Sequence, residues 1–390
     1  VLAVANGTGA TALGSNASAL SENATAVGRS AGAVGALATS VGARALAGGD
    51  NSTATGASAV ASGAGSSAFG QASVASGTEA TALGQGTLAS AAQAAAVGGG
   101  ARASASGASA FGASSNASGA NASAFGQASV ASGTNTVAVG QAANARALGA
   151  SALGQGSLAS GLGTTALGQA ATASGDFATA VGMSASASGR EASAFGQRAM
   201  ASGMGSLAVG QAAQATGDNS VALGGGQGAL AAGANSVAIG QNAQALASNS
   251  VALGTGSVAS QPNTVSVGVP GGERRITNVA PGIAPTDAVN VNQFTQGINQ
   301  LNLNFSSSLN NLDQRLSAGI AEASALGGAM IPDAGRTYIG GGGATYHGQE
   351  GFALALVHHV QDSGLVVSAG VAFGTSGSNA IGRVGVGWVF

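Results

Sequence analysis

A glycine returns every fourteen residues through the first two thirds of the chain. From Gly14 every fourteenth position is glycine up to Gly224, a single step of sixteen leads to Gly240, and steps of fourteen then resume to Gly268. The residue before this marker glycine is Leu, Val, Phe or Ile in every repeat except at Thr55, and a second glycine usually stands seven residues earlier. Such a repeat determines the fold, because each unit must bury its apolar face against its neighbours.

Each repeat holds two short segments and two glycine-marked corners. Fourteen residues suffice for one coil with two strands of about four residues and two tight turns, in which glycine accepts positive φ. Nineteen coils stacked at about 4.8 Å would form a rod of roughly 90 Å. A coil has about one large side chain, so stacking must supply the core. A helical repeat is the alternative, but two glycines per unit would cost it about 2 kcal/mol.

Glutamine recurs directly after the marker glycine. Stacked coils would place equivalent glutamines above one another, and we therefore expect an amide ladder. The positions that predict it are Gln127, Gln141, Gln155 and Gln169.

The composition limits the possible functions. Charged residues make up 6% of the chain, with 11 basic residues, all arginine, against 13 acidic ones. A surface with so few cations cannot neutralise a run of phosphates, so we expect no nucleic-acid partner. Cysteine is absent, which excludes disulfides and thiolate sites. The chain does not open with a charged and apolar leader, and no apolar run reaches about 18 residues, so we expect strands to make any membrane contact.

The repeat gives way to helical spacing after Gly268. Thr286 is a candidate N-cap for a helix entered at Asp287. The apolar stripe that follows consists of Phe294, Ile298, Leu301, Phe305, Leu309, Leu312, Leu316, Ile320 and Ala323. The apolar residues of this stripe repeat with eleven residues per three helical turns, which predicts a slight right-handed supercoil or nearly straight helices. An apolar stripe this narrow also needs partner helices to cover it.

The last segment alternates with a period of two. The candidate strands, each about ten residues long, are 336–346, 351–361, 365–374 and 381–390. This length crosses a bilayer as a tilted strand, and Phe352, Leu354 and Leu356 would share one face. Four strands are too few to close a barrel, and an open edge in lipid leaves backbone groups unpaired. Several copies of the chain must therefore share one barrel.

Three segments together resemble the YadA-like trimeric autotransporter adhesins of Gram-negative bacteria. The coils 219–224 and 235–240 are similar to that family's Ser-x-Ala-Φ-Gly head repeats. The run 273–280, Glu-Arg-Arg-Ile-Thr-Asn-Val-Ala, followed by Thr-Asp-Ala-Val-Asn at 286–290, is similar to its neck. The last sixty residues, which end in Phe390, look like its membrane anchor.

The resemblance implies a mainly β fold and a parallel homotrimer. A left-handed β-roll head would occupy 1–268, a neck 269–293, a short coiled-coil stalk 294–326, and the outer-membrane anchor 327–390. Four strands per chain would form a twelve-stranded transmembrane barrel in contact with outer-membrane lipid, ending at Trp388 and Phe390. Head and stalk would stand on the cell surface.

Candidate sites are few. The resemblance implies possible matrix binding at the head motifs Asn219, Ser220, Val221, Asn235, Ser236, Val237, Asn249, Ser250 and Val251. In the neck we expect Arg274 and Arg275 to form inter-chain ion pairs with Glu273 and Asp287, which lock the step from head to stalk. No catalytic set, metal site or cofactor site emerges.

The leading functional hypothesis is a surface adhesin that binds extracellular matrix such as collagen, abiotic surfaces or sister cells, while its barrel exports and anchors its own head. A non-adhesive surface coat with the same self-exporting barrel is the first alternative. An ice-binding solenoid is a remote one, because its flat Thr-x-Thr array would be needed on every coil, and this chain has only those at 53–55 and 134–136.

Overall fold

A computed structural model describes residues 2–375 and 380–390. The chain forms two compact units, Val1–Arg275 and Ile276–Phe390. The first contains the fourteen-residue repeats, and the second contains one long helix and a four-stranded sheet.

Two parallel sheets build the first unit, with 38 short strands that alternate between them along the chain. The odd-numbered strands β1 to β37 are Val4–Ala5, Ser18–Ala19, Gly32–Ala33, Leu46–Ala47, Val60–Ala61, Val74–Ala75, Leu88–Ala89, Arg102–Ala103, Asn116–Ala117, Val130–Ala131, Asn144–Ala145, Leu158–Ala159, Thr172–Ala173, Ser186–Ala187, Met200–Ala201, Gln214–Ala215, Leu230–Ala231, Gln244–Ala245 and Val258–Ala259. The even-numbered strands β2 to β38 are Thr11–Leu13, Thr25–Val27, Thr39–Val41, Thr53–Thr55, Ser67–Phe69, Thr81–Leu83, Ala95–Val97, Ser109–Phe111, Ser123–Phe125, Val137–Val139, Ser151–Leu153, Thr165–Leu167, Thr179–Val181, Ser193–Phe195, Leu207–Val209, Val221–Leu223, Val237–Ile239, Val251–Leu253 and Val265–Ser266.

The register of both sheets follows the sequence repeat. Ala68 pairs with Ala82 one coil later, and Phe111 with Phe125. Where the sequence inserts two residues, Val221 pairs with Val237, and residues 225–228 form the enlarged turn. The predicted β-solenoid of fourteen-residue coils is confirmed, although its strands are two or three residues long rather than four.

The core of the solenoid consists almost entirely of alanine, serine and threonine. In one coil, Ala68, Ser73, Ala75 and Ala80 point inward and are fully buried. The large residue before the marker glycine points outward, and Phe69 remains 38% exposed. The stacked coils form the core, as predicted, but the large side chain of each coil lies outside that core. Each inward position repeats about every 4.8 Å along the stack, so only small side chains fit between the two sheets.

The marker glycine is fixed by both conformation and space. Gly126 has φ +129°, and a Cβ atom added there would lie 2.6 Å from the carbonyl oxygen of Gly140 in the next coil. A side chain at this corner would push neighbouring coils apart, which explains why the glycine repeats without interruption.

The second unit begins with an irregular segment and helix α1, Val291–Ala325, which a 3-10 turn, Leu326–Gly328, extends. The N-cap is Asn290, whose side chain accepts a hydrogen bond from the Gln293 backbone N–H at 3.0 Å. The predicted cap at Thr286 is wrong, because that residue lies in the preceding turn. No helix among the described residues has the length and apolarity needed to span a membrane.

An antiparallel sheet completes the second unit, with strands β39 Thr337–Tyr346, β40 Gln349–His359, β41 Leu365–Gly374 and β42 Ile381–Trp388 in sequential order. The four strands occupy the predicted segments. Residues 376–379 lie outside the described residues.

Candidate functional surfaces

The outer face of the even-numbered strands carries a column of large apolar side chains. Its most exposed members are Leu13, Val41, Phe69, Leu83, Phe125, Val139, Leu167, Phe195, Val209, Ile239 and Leu253, all at least 36% exposed. The rings of Phe111 and Phe125 stack along the column with centroids 5.1 Å apart. A continuous apolar stripe of this length is not a stable surface in water.

The outer face of the odd-numbered strands is mixed, because the first residue of the strand is Val, Leu or Met in ten of the nineteen, as at Val74 and Leu88. A serine follows the strand in most coils, and the exposed members of this serine column are Ser62, Ser76, Ser90, Ser104, Ser118, Ser132, Ser174, Ser188, Ser202 and Ser260. Backbone hydrogen bonds fix each position, as in the bond from the Ser76 N–H to the Ala89 carbonyl at 2.9 Å. One sheet therefore carries the column of exposed large apolar side chains and the other carries the serine column, and each outer face also bears side chains of the other kind.

The predicted glutamine ladder is present at one corner of the coils. The amide nitrogen of Gln141 donates to the amide oxygen of Gln127 at 3.3 Å, Gln155 donates to Gln141 at 2.9 Å, and Gln169 to Gln155 at 3.1 Å. Shorter ladders join Gln85 to Gln71 and Gln211 to Gln197. These side chains hold the exposed corner in register.

The serines of the candidate matrix-binding motifs face the core. Ser220, Ser236 and Ser250 are fully buried. Their hydroxyls donate to the carbonyls of Gly217, Gly233 and Ala247 at 2.6 to 2.7 Å.

The other motif residues reach the surface. Val221, Val237 and Val251 are half-buried on the apolar face. Asn219, Asn235 and Asn249 occupy corners with positive φ of 53° to 56°, and their side chains are exposed. Ligand contact by these motifs is therefore restricted to the asparagine amides and the valine side chains.

Arg274 covers the last coil of the solenoid. One guanidinium nitrogen donates to the Ser257 hydroxyl at 2.8 Å and to the Val267 carbonyl at 2.6 Å, and the other donates to the Thr255 carbonyl. These acceptors belong to the coil end, where no further coil supplies N–H donors. Arg274 thus satisfies carbonyls that the end of the stack leaves open.

The acidic neck residues bind backbone N–H groups within their own chain. The Gly271 N–H donates to Glu273 at 2.9 Å and lowers the pKa of that carboxyl. The Ala284 and Ile283 N–H groups donate to one oxygen of Asp287, each at 2.9 Å, and lower the Asp287 pKa. Among the described residues the single ion pair is Arg190 with Glu191, so inter-chain pairing by Arg274, Arg275, Glu273 and Asp287 stays a prediction.

Two residues that the sequence reading missed organise the start of the helix. The Gln293 side chain donates to the Gly282 carbonyl at 2.9 Å and accepts from the Gly282 N–H at 2.8 Å. The Asn290 side chain donates to the Val279 carbonyl at 3.1 Å. Asparagine followed three residues later by glutamine is a capping-box pattern, and this signal was available in the sequence.

The helix has two different faces. The predicted stripe is exposed in the single chain at Ile298, Leu301, Phe305, Leu309, Leu312, Leu316 and Ile320. Toward the helix end, Ala318, Ala321 and Ala325 are instead buried against the four-stranded sheet. The stripe therefore requires partners outside this chain, and the predicted supercoil stays a prediction.

The anchor sheet separates large from small side chains. One face carries exposed apolar residues, among them Phe352, Leu354, Leu356, Val384 and Trp388, as the alternation predicted. The opposite, inner face carries glycine and alanine where the helix lies: a Cβ on Gly342 would be 2.6 Å from the Ala325 carbonyl oxygen. Phe390 follows β42 and is fully exposed. Large apolar side chains outward and small ones inward are the distribution of a lipid-facing sheet.

The three histidines form no common site. The His358 ring lies 2.9 Å from the Thr337 hydroxyl, and the His359 ring lies 3.0 Å from the Pro332 carbonyl. Within residues 2–375 and 380–390, no group of three or more metal-ligating side chains is assembled.

Models of three adhesin domains match the chain. The YadA head domain repeat matches repeatedly between residues 5 and 269, the coiled stalk of trimeric autotransporter adhesins matches residues 275–316, and the YadA-like membrane anchor domain matches residues 322–390. Head repeats alone cover more than half of the sequence. The chain therefore belongs to the YadA-like family of trimeric autotransporter adhesins, and its sheet of four strands is an outer-membrane anchor that leaves head and stalk on the cell surface.

Two individual proteins are similar to parts of the chain. The autotransporter adhesin NhhA of Neisseria meningitidis serogroup B is 37% identical over 119 residues, which is 29% of this chain and 19% of that protein. The chain thus matches about a fifth of that relative's length. The crystal structure of the collagen-binding domain of the Yersinia adhesin YadA is 26% identical, with a TM-score of 0.22, over 57% of this chain and 85% of that one.

Proposed function

We propose that this chain acts as a homotrimeric surface adhesin. It attaches the cell to extracellular matrix such as collagen, to abiotic surfaces or to sister cells, and its role is adhesive rather than catalytic. Its C-terminal strands export and anchor its own head. The observation that carries the proposal is the column of exposed large apolar side chains before the marker glycines, on the sheet opposite the serine column.

The apolar face supports trimerisation of the head. The column from Leu13 to Leu253 needs a cover, and the stalk stripe on the same chain needs partners of the same kind. Identical copies arranged in parallel satisfy both, because each repeat then meets its own counterpart. The serine column and the coil corners are left facing outward.

The outward face suits many weak contacts. With charged residues at 6% of the chain, this face offers serine hydroxyl groups in most coils, and small apolar patches, rather than one deep pocket. Each contact is weak, and three copies with repeated coils multiply them by avidity. In the coils nearest the neck, the candidate matrix contacts are the side-chain amides of Asn219, Asn235 and Asn249.

Removing the head tests the proposal. Cells that display the anchor and stalk without residues 1–268 should lose attachment to collagen, fibronectin, laminin and sister cells, while their surface level of the stalk stays equal to that of the parent. Undiminished attachment would mean that the head is a non-adhesive coat. The purified trimeric head, screened against the same ligands and against itself, identifies which one is bound.

The ice-binding alternative gains no support. Thr136, in one of the two Thr-x-Thr sequences, is fully buried in the core. The remaining pair, Thr53 and Thr55, lies on the face that the apolar column occupies.

A further inference from the structure

One corner of the solenoid carries large apolar side chains over a short stretch of coils. This corner is the turn between an odd-numbered strand and the next even-numbered strand, and in most coils its two apex residues are small or polar. In the turns before β22, β24, β26 and β30, an apex residue is instead Leu148, Leu162, Phe177 or Met204. All four are at least 36% exposed, and we call them the corner patch.

Phe177 stands at a position that the fold reserves for other residues. The second apex residue has positive φ in every turn, and six glycines and eight asparagines occupy 14 of the 19 positions. Phe177 adopts φ +60° there, a conformation that bulky side chains rarely take. Its side chain is 53% exposed and its ring lies over Gly163, where an added Cβ would come within 3.2 Å of it. A strained and exposed aromatic residue indicates a role other than folding.

Backbone hydrogen bonds hold the corner patch in place. The N–H groups of Leu162 and Met204 each donate at 2.9 Å to an aspartate one coil later, Asp176 and Asp218 respectively. The Phe177 N–H donates to the Leu162 carbonyl at 2.7 Å. A ligand therefore meets apolar side chains on a fixed backbone, which lowers the ordering cost of binding.

Hydroxyl groups border the corner patch on one side. The exposed serines Ser174, Ser188 and Ser202 directly precede the corner in their coils. They follow one another at the coil spacing of about 4.8 Å. In the trimer of the proposed function both the corner and the serine column face outward, so that a ligand lying along the corner reaches apolar contacts and hydrogen-bond donors together.

The spacing of the corner patch selects the conformation of its ligand. Leu148, Phe177 and Met204 precede β22, β26 and β30, so they are two coils, or about 9.6 Å, apart along the stack. A polyproline II chain repeats every three residues, about 9.3 Å, and falls only about 0.6 Å out of step across the patch. An α-helix repeats in two turns after about 10.8 Å and falls about 2.4 Å out of step. Polyproline II chains also leave their backbone carbonyls free to accept hydrogen bonds, and aromatic side chains are their usual docking surface.

We propose that the corner patch binds an extended proline-rich chain in the polyproline II conformation, which runs along the stack of coils with a proline ring against Phe177. The inference rests on the adhesive role of the proposed function and adds the surface and the class of ligand. The three strands of collagen are chains of this class.

Replacement of Phe177 by asparagine separates binding from folding. Asparagine occupies the same corner in eight other turns, so detergent-extracted full-length Phe177→Asn trimer should unfold at the parent temperature or above it. Its affinity for a fluorescent peptide of Gly-Pro-Pro repeats should fall by about tenfold or more, because the aromatic anchor is lost. Leu37→Asn is the matched control: Leu37 is also an exposed apex residue with positive φ, but it lies ten coils from Phe177, and this variant should keep the parent affinity.

The possible failures are distinguishable. Parent-level binding of the peptide by Phe177→Asn, or an equal loss in Leu37→Asn, would overturn the corner patch as the site. A parent trimer that attaches to matrix proteins but not to the peptide would overturn the class of ligand and leave the adhesive function standing. A parent trimer that attaches to no matrix protein, surface or sister cell would instead contradict the proposed function itself.

Discussion

The side chain of Gln293 binds the backbone of Gly282 through two hydrogen bonds, donating at 2.9 Å and accepting at 2.8 Å. Its own backbone N–H donates to Asn290, the helix N-cap. One amide thus connects the irregular neck segment to the first turn of the helix. The two bonds tie together residues that lie eleven positions apart in the sequence.

Replacement of Gln293 by alanine should loosen this connection. The variant loses both bonds to Gly282 and one half of the capping box, and we expect a local destabilisation of about 1–3 kcal/mol. Hydrogen exchange of the full-length trimer should report it as faster exchange at the Gly282 amide. Gln296→Ala, at an exposed helix position, is the matched control and should leave that amide unchanged; equal rates in both variants would contradict the prediction.

Acid should open the turn at Asp287. The Ala284 and Ile283 N–H groups hold the Asp287 pKa below its ordinary value, so the folded carboxyl releases its proton more readily than the unfolded one. Its stabilising contribution is full above the unfolded pKa of roughly 4 and is lost as the pH falls through the lower folded value.

Protection factors of the Ile283 and Ala284 amides, which correct for the intrinsic exchange rate, measure this effect. They should fall as the pH is lowered below roughly 4, whereas Asp287→Asn should show low protection throughout with no such step. Asp313→Asn, on the helix, controls for a general acid effect. A step that persists in Asp287→Asn would assign the transition to another group.

Most of what the sequence could predict follows from its fourteen-residue period. The spacing of Gly126 and Gly140 fixed coil length and register, and the placement of Gln141 and Gln155 then predicted their ladder. Alternation likewise placed Phe352, Leu354 and Leu356 on one face of the anchor sheet. These features depend on periodicity, which a sequence displays directly.

Features that depend on chain ends and on three-dimensional proximity were harder to predict. The N-cap was placed four residues early at Thr286, because both residues suit a cap and only the partner Gln293 distinguishes Asn290. Arg274 binds the carbonyls of the last coil, an acceptor set visible only once the stack is known to end there, and its inter-chain ion pair stays a prediction. Glu322 is buried because the C-terminal end of the helix packs on the four-stranded sheet, and the sequence pattern does not show that contact.

A marker glycine should tolerate no side chain. Gly126→Ala combines φ +129° with a Cβ at 2.6 Å from the next coil's carbonyl oxygen, and we expect a loss of about 3 kcal/mol or more in head stability. Gly156→Ala provides the control, since φ there is +64° and nothing lies within 4 Å of the added atom. That variant should lose about 1 kcal/mol. Thermal unfolding followed by circular dichroism ranks them, and an equal loss would show that conformation alone, without the contact, sets the requirement.

The apolar column should face the other copies. Phe125→Cys would place the chain's only thiol on that column, and oxidation of dilute trimer should give covalent dimers on a non-reducing gel. Ser132→Cys places its thiol on the opposite, serine-bearing face and should remain monomeric on the same gel. Crosslinking at Ser132 without crosslinking at Phe125 would reverse the assignment of the two faces.

Docking of the helix on the anchor depends on the absence of a side chain at Gly351. An added Cβ would lie 2.5 Å from the Ala321 carbonyl oxygen and equally close to the Glu322 backbone nitrogen. Helix and strand are both backbone at this point, so neither can move aside without shifting the whole helix over β40. Gly351→Ala should therefore reduce the amount of folded trimer in the outer membrane and lower its dissociation temperature.

Gly343→Ala separates this contact from a general effect of replacing glycine in the sheet. Gly343 lies on β39 within the same sheet but on its outer face, and an added Cβ would meet its nearest neighbour, the Gly351 carbonyl oxygen, at 3.8 Å. That is an ordinary van der Waals distance, and alanine also lowers the conformational freedom of the unfolded chain. Gly343→Ala should therefore match or exceed the parent in trimer yield on heat-treated gels. An equal loss of trimer yield in the two variants would mean that replacing glycine destabilises the strand itself, and that the contact with the helix is not the cause.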